Sequence, residues 1–380
     1  MNNTPYDYKE IVPYLVDWYE ANARILPWRL EPTPYHVWIS EIMLQQTRVE
    51  AVRGYYDRFL TALPTIRDLA NAEEDVLLKL WEGLGYYSRV RNLQKAARVI
   101  MEEYEGELPC SYEELLKLPG IGTYTAGAIA SIAYGIPVAA VDGNVLRIAK
   151  RLAGSFDDIA KAKVKKELEG IFTAITPKGH AGAFNQSLMD LGATICVPNG
   201  KPNCQVCPVM HLCLAFKQDL QMQIPVKAKK KERRIEEKTI YVIEFENKIL
   251  LHKRGSKGLL AGLWELPNMQ GKSTIDKVQE QIQQEIPEAE VTVQSLGEAK
   301  HIFSHVEWHM TGFHILFAKR EQMLHFCGQL NALITQKVDN SGSQGNIFSE
   351  DTNQLVARKE IKETFALPSA FDKYKIWEEK

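Results

Sequence analysis

Leu118-Pro119-Gly120-Ile121-Gly122 has the makings of a phosphate grip. Two glycines two apart let the backbone turn tightly with free N–H groups facing out, and a helix starting at Thr123 adds the positive end of its dipole there. Standing alone, the same residues also suit an ordinary helix–helix turn. Val141-Asp142-Gly143-Asn144-Val145 sets a carboxylate just before a helix, where its simplest task is to cap the N-terminus. Cys196, Cys204, Cys207 and Cys213 follow the spacing C-x7-C-x2-C-x5-C. Four thiolates so close favour zinc or a four-iron cluster, and composition does not separate the two. Cys110 and Cys327 have no such company and read as isolated thiols.

The elements that position these groups divide into two textures. Up to about residue 222, apolar residues recur at three- and four-residue spacing, as in Ile11, Tyr14, Leu15, Trp18 and again Val76, Leu77, Leu80, Trp81, which predicts short helices joined by tight turns. Ile224-Pro225-Val226 and the cationic run from Lys227 to Arg234 offer nothing to a core and predict a linker over 223–235. Beyond it, Thr239–Phe245 and Lys248–Leu251 flank Glu246-Asn247 as a hairpin. A helix is expected at Ile275–Ile286, strands at Val291–Val293 and His309–Ala318, a short helix at Lys359–Phe365 and a surface loop at Asp339–Glu350.

At 380 residues, 45% of them hydrophobic and 25% charged, the chain has room for two domains. A net charge of −2 excludes a histone-like surface but not a local basic groove. No apolar run is long enough to span a bilayer, and MNNTPYDYKE is not a secretory leader, so a soluble protein of a reducing, cytoplasmic compartment is expected.

The glycine turn, the helix after it and then Asp142 together resemble the helix–hairpin–helix superfamily of DNA glycosylases. Leu26-Pro27-Trp28-Arg29, Ser40–Thr47 and Trp81–Arg89 narrow the resemblance to the MutY adenine glycosylases. In the second half, KGLLAGLWELP from Lys257 to Pro267 and Phe303-Ser304-His305 resemble the C-terminal domain of that family, itself similar to the Nudix hydrolase MutT. The expected architecture is an all-α glycosylase domain over 1–222 with its cysteine loop at 196–213, the basic linker, and an α+β Nudix-like domain over 236–380.

The resemblance implies roles. Glu41 would protonate N7 of an extruded adenine, and ionised Asp142 would stabilise the cationic sugar, with Asn144 nearby and Tyr124 hydrogen-bonding close to Asp142. Glu41 then needs a raised pKa and Asp142 a low one. Gly120 and Gly122 would hold the DNA backbone, Gln46 and Tyr86 would wedge into the duplex, and Thr47 and Leu84 would lie near the opposite 8-oxoguanine, which Phe303, Ser304 and His305 recognise. The four cysteines would hold a [4Fe–4S] cluster, although their first gap has seven residues where similar glycosylases have six. The implied partner is double-stranded DNA bearing 8-oxoguanine:adenine or guanine:adenine mispairs, met by a monomer.

Tyr124 stands where relatives such as endonuclease III have a Lys that forms a Schiff base with the sugar. A phenol forms no imine, so a monofunctional glycosylase is expected. A lyase, a lesion-binding protein without catalysis and a nucleotide hydrolase are the rival readings. The last lacks the Arg-Glu and Glu-Glu pairs that would hold Mg²⁺, since Asp276–Glu285 has none.

Overall fold

A computed structural model describes residues 6–227, 232–338 and 352–378. The loop expected at Asp339–Glu350 lies outside them. Packing divides the chain into two units, Met1–Ala72 with Ser88–Lys230, and Glu73–Tyr87 with Lys231–Lys380.

The first unit is helical, and its helices begin where the sequence supplies caps. Thr33 accepts from the His36 N–H at 3.2 Å and Pro34 sits at the first turn, starting the helix Pro34–Leu44. Every residue of that helix from Tyr35 to Met43 except His36 is buried, so it runs through the interior and carries Glu41 with it. Tyr112–Leu115 and Thr123–Ile132 flank the glycine turn. Gly120 has φ +77°, and a Cβ there would stand 2.6 Å from Cβ of Asn92, so only glycine fits. Gly143–Leu152 and Ala181–Thr194 complete the frame of the site, and both feed a core containing Leu15, Ile148, Phe172 and Leu188.

The composition break at 223–235 joins all of 1–222 into one domain, whereas Glu73–Tyr87 packs with the second unit. Three anchors explain why. Lys253 donates to both oxygens of Asp75 at 2.7 and 2.8 Å, Lys79 to the Phe365 carbonyl at 3.0 Å, and the Leu367 N–H to Glu82 at 2.8 Å. The start of the linker is also packed: Ile224 is buried and its carbonyl accepts from Arg151 at 2.8 Å.

Among the described residues the second unit is built on a seven-stranded sheet: β1 (Arg234–Phe245), β2 (Lys248–Lys253), β3 (Trp264–Glu265), β4 (Asn268–Gln270), β5 (Val291–Ile302), β6 (Val306–Phe317) and β7 (Asn353–Ala357). The main order is β3-β2-β1-β6-β5, with β4 paired to β1 and β7 to β2; β1 and β6 are parallel. Glu246 and Asn247, at φ 48° and 59°, make the expected hairpin turn. Both faces are covered. Ile240 and Val242 point to a core with Trp308, Phe371 and Tyr374, while Tyr241 and Ile243 point to one with Phe313, Phe326 and Val278. β5 and β6 are longer than their apolar alternation suggested, because the half-exposed stretch from Ser295 to Ile302 is held by pairing to β6 as well as by the partial burial of Leu296 and Ala299.

Candidate active site

A cavity of about 830 Å³ in the first unit brings together Glu41, Tyr124, Asp142 and Asn144, with Gln46 and Thr47 also lining it. Glu41 is 5% exposed, on the buried helix Pro34–Leu44. Burial pushes its carboxyl up to about 7, and the nearby Asp142 adds to the rise, while Tyr124 and the Arg29 guanidinium oppose it. The Tyr124 hydroxyl donates to Glu41 Oε2 at 2.6 Å. Its partner is thus Glu41, in the cavity that Asp142 also lines, because the first turn of Thr123–Ile132 aims the ring at the Glu41 helix.

Asp142 caps a helix and lines the cavity at the same time. As the N-cap of Gly143–Leu152 it accepts at Oδ1 from the N–H groups of Asn144 (2.8 Å) and Val145 (2.9 Å), and at Oδ2 from Asn144 Nδ2 (2.7 Å). Yet its carboxyl is raised, not lowered as expected: burial outweighs the stabilising hydrogen bonds and the Arg147 charge. Those donors still give Asp142 a far better environment for a negative charge than Glu41 has. Asn144 is held in turn by Arg147, which donates to its Oδ1 at 2.8 Å and to the Gly192 carbonyl at 2.9 Å. A side chain at Gly192 would collide with Asn144, since its Cβ would lie 2.6 Å from that of Asn144.

Several functional residues carried no assignable signal in the sequence. Asp190, 1% exposed, accepts from Arg24 at 2.6 and 2.9 Å and from Arg29 at 2.8 Å twice, clamping two guanidiniums on the pocket wall. Arg89 donates to the carbonyls of Ile42 and Gln45, both at 2.7 Å, and so braces the end of the Glu41 helix. Arg147 and Arg89 are both buried, with their guanidiniums turned to backbone carbonyls. The motif Leu26–Arg29 pointed toward Arg29, but nothing local pairs it with Asp190.

The other expected residues are distributed as follows. Gly122, exposed, would place a Cβ in open space, whereas Gly120 is boxed in by Asn92. Gln46, exposed at the rim, holds φ 59°. Tyr86, 48% exposed at φ 49°, and Leu84, 7% exposed, belong to the segment that packs with the second unit. There, Phe303-Ser304-His305 is the turn between β5 and β6, closed by the Phe303 N–H donating to the Val306 carbonyl at 2.9 Å. Phe303 packs edge-on against His301 and Trp308, leaving Ser304 and His305 exposed.

Cys196, Cys204, Cys207 and Cys213 line one cavity of the first unit. Among the described residues, however, no three Cys, His, Asp or Glu side chains meet the geometry of a metal-ion site. The donor chemistry does suit a soft cationic centre. Burial and mutual repulsion push the Cys207 thiol up to about 12, Arg151 donates to Cys196 Sγ at 3.2 Å, and among the described residues the buried Oε1 of Gln221 on the same cavity has no hydrogen-bond partner. The long first gap bulges into solvent at 198–201, its ends pinned by the Asn203 N–H on the Ile195 carbonyl at 3.0 Å.

A helical unit with a glycine hairpin and two pocket carboxyls, followed by an α+β sheet unit, defines the class: a base-excision glycosylase joined to a Nudix-type domain. Residues 39–173 match the HhH-GPD superfamily of base excision DNA repair proteins, and residues 239–375 match the NUDIX domain. Adenine DNA glycosylases of two Buchnera aphidicola strains are 39% and 35% identical to this chain, covering 68% and 80% of it and 74% and 86% of their own lengths. That of Schizosaccharomyces pombe is 33% identical over 77% of this chain and 78% of its own. A thermostable thymine-DNA glycosylase of known structure matches 55% of the chain and 96% of its own at TM-score 0.50 and 29% identity. The chain belongs to the adenine DNA glycosylase family, enzymes that release adenine from DNA in base excision repair.

Proposed function

We propose that this protein releases adenine paired with 8-oxoguanine or guanine in duplex DNA, as a monofunctional glycosylase that leaves an abasic site. The observation that carries the reading is Glu41, a buried carboxyl that keeps its proton to about pH 7 and shares one cavity with a second carboxyl, Asp142, that accepts three hydrogen bonds. An extruded adenine entering that cavity takes the Glu41 proton at N7. The C1′–N9 bond then breaks with its electron pair going to the base, and Asp142, held by Asn144 and the helix start, faces the oxocarbenium-like sugar. Water adds to C1′ and gives up its proton to a carboxylate. Tyr124 orients Glu41 by its hydrogen bond and has no amine with which to cleave the strand.

The glycine hairpin grips the backbone, Gln46 and Tyr86 enter the duplex, and Thr47 and Leu84 lie near the lesion, which the exposed Ser304 and His305 of the β5–β6 turn recognise. Cys196, Cys204, Cys207 and Cys213 would hold a [4Fe–4S] cluster, which would supply a cross-link of the 196–213 loop and no step of base removal. The protein works as a cytoplasmic monomer of bacterial type; among the described residues no helix is long and apolar enough to cross a membrane.

Single-turnover base release from duplexes with adenine opposite 8-oxoguanine, guanine and thymine, each with and without alkali, tests the reading. Strand scission only after alkali, fastest opposite 8-oxoguanine, is expected. Scission without alkali would replace it with a lyase, and no release from any duplex with a lesion-binding protein.

A further inference from the structure

Glu169 takes no part in the chemistry above, yet it stands against the glycine hairpin. Its helix, Ala162–Ile175, buries Leu168 and Phe172 in the core of the first unit. The residue after Leu168 is thereby left half-buried at the hairpin, where Oε1 of Glu169 accepts from the Thr123 hydroxyl at 2.7 Å. Thr123 opens the helix Thr123–Ile132 that follows Gly122. The other arm of the hairpin feels the same carboxylate: burial and, next, the Glu169 charge hold the phenol of Tyr112, first residue of Tyr112–Leu115, above its usual value. Lys165, one turn earlier on the same helix, pairs with Glu169 at 3.5 Å.

The start of a helix favours an anion, through its unpaired N–H groups and the positive end of its dipole. At Thr123–Ile132 the capping position is Gly122, which has no side chain to occupy that place. A carboxylate one hydroxyl away acts there with two signs. In the free protein it offsets part of the positive charge of the helix end. Once a phosphate sits on the hairpin, two anions stand side by side, and the single hydroxyl proton of Thr123 is already given to Glu169. A purely mechanical tie between the two helices would need no charge, since a glutamine carbonyl accepts the same hydrogen bond.

We propose that Glu169 is a positioning residue of the hairpin: it stands in for the DNA phosphate in the free protein and limits how tightly the hairpin holds that phosphate in the complex. It acts through the Thr123 hydroxyl and by its charge, and touches neither the base nor the sugar. Its effect falls on every duplex alike, the abasic product included, and so governs how soon the protein leaves the DNA. The inference rests on the proposed role of the hairpin as a backbone grip.

The full-length protein is compared with Glu169→Gln, which keeps the acceptor for Thr123 and loses the charge, and with Glu169→Asp, which keeps the charge on a shorter stem. Affinity for an abasic duplex, and the rate of dissociation from it, are measured over a range of salt concentrations. Glu169→Gln should bind roughly twofold to fivefold tighter at low salt and leave more slowly by the same factor, with the gain fading as salt is raised. Glu169→Asp should stay close to the parent protein. A Glu169→Gln that binds no tighter than the parent, or a gain that persists at high salt, overturns the proposal and leaves Glu169 as a mechanical tie. A gain in Glu169→Asp equal to that in Glu169→Gln overturns it as well, because the charge is then not the cause. The grip itself fails separately, if Gly122→Ala binds duplex as tightly as the parent protein.

Discussion

Burial lets Glu41 hold its proton to about 7, against an ordinary value of 4.5. Proton donation therefore weakens as pH rises through 7, and adenine release in single turnovers should fall on that alkaline side. The same shift bears on stability. With the folded-state value above the unfolded one, the stabilisation from protonated Glu41 is complete below 4.5 and lost as pH rises through about 7. Glu41→Gln should thus match the parent protein near pH 4 and exceed it at pH 8 by about 3 kcal/mol in denaturant unfolding. It should still bind duplex, without releasing the base. Asp190→Asn acts on the same carboxyl from a distance. Arg29, which already opposes the rise at Glu41, loses its balancing charge, so the alkaline limb should move to lower pH. Leaving two guanidiniums with no buried anion should also cost about 3–5 kcal/mol. A limb that stays in place would separate Asp190 from the chemistry. Glu41, Tyr124 and Asp142 were legible because short motifs carry them. Asp190 was not, since its partners Arg24 and Arg29 lie in a distant stretch and meet it only in the fold.

Two glycines of one hairpin give opposite expectations. Gly120 sits at positive φ against Asn92, so Gly120→Ala should unfold the turn locally and lower stability by about 1–2 kcal/mol. Gly122 has an ordinary φ of −96° and open space where a Cβ would go. Gly122→Ala should melt with the parent protein yet bind every duplex more weakly, whatever its sequence, because the methyl group blocks the approach of a phosphate. Equal losses of stability in the two would count against the hairpin as a grip. At the β5–β6 turn, Ser304→Ala should erode the preference for 8-oxoguanine over guanine and leave the melting temperature alone, since among the described residues its hydroxyl reaches only His305, at 3.1 Å. The helices and the β1–β2 hairpin were readable from periodicity and turn chemistry. The outer half of β5 was not, because pairing to a neighbour leaves little mark on a half-exposed strand's own residues.

For the whole molecule, composition divides the chain into two textures, whereas packing divides it into two units that exchange one segment. Composition missed Glu73–Tyr87, because the anchors of that segment, Asp75, Lys79 and Glu82, look like any solvated helix face until Lys253, Phe365 and Leu367 are seen opposite them. Glu82→Ala removes the acceptor for the Leu367 N–H and the ion pair with Lys79. It should destabilise the second unit by about 1–2 kcal/mol, visible as faster amide exchange at Leu367. The borrowed segment also sets an order of events on the ribosome. The chain passes between the two units at 72/73, 87/88 and 230/231, so Glu73–Tyr87 emerges long before the sheet that receives it has been made. Until β2 and the residues after β7 follow, its anchors lack Lys253, Phe365 and Leu367 as partners, and the first unit must wait with an unfinished loop. A nick in the basic stretch after Val226 would not part the pieces cleanly either, because the upstream fragment keeps a portion of the downstream fold.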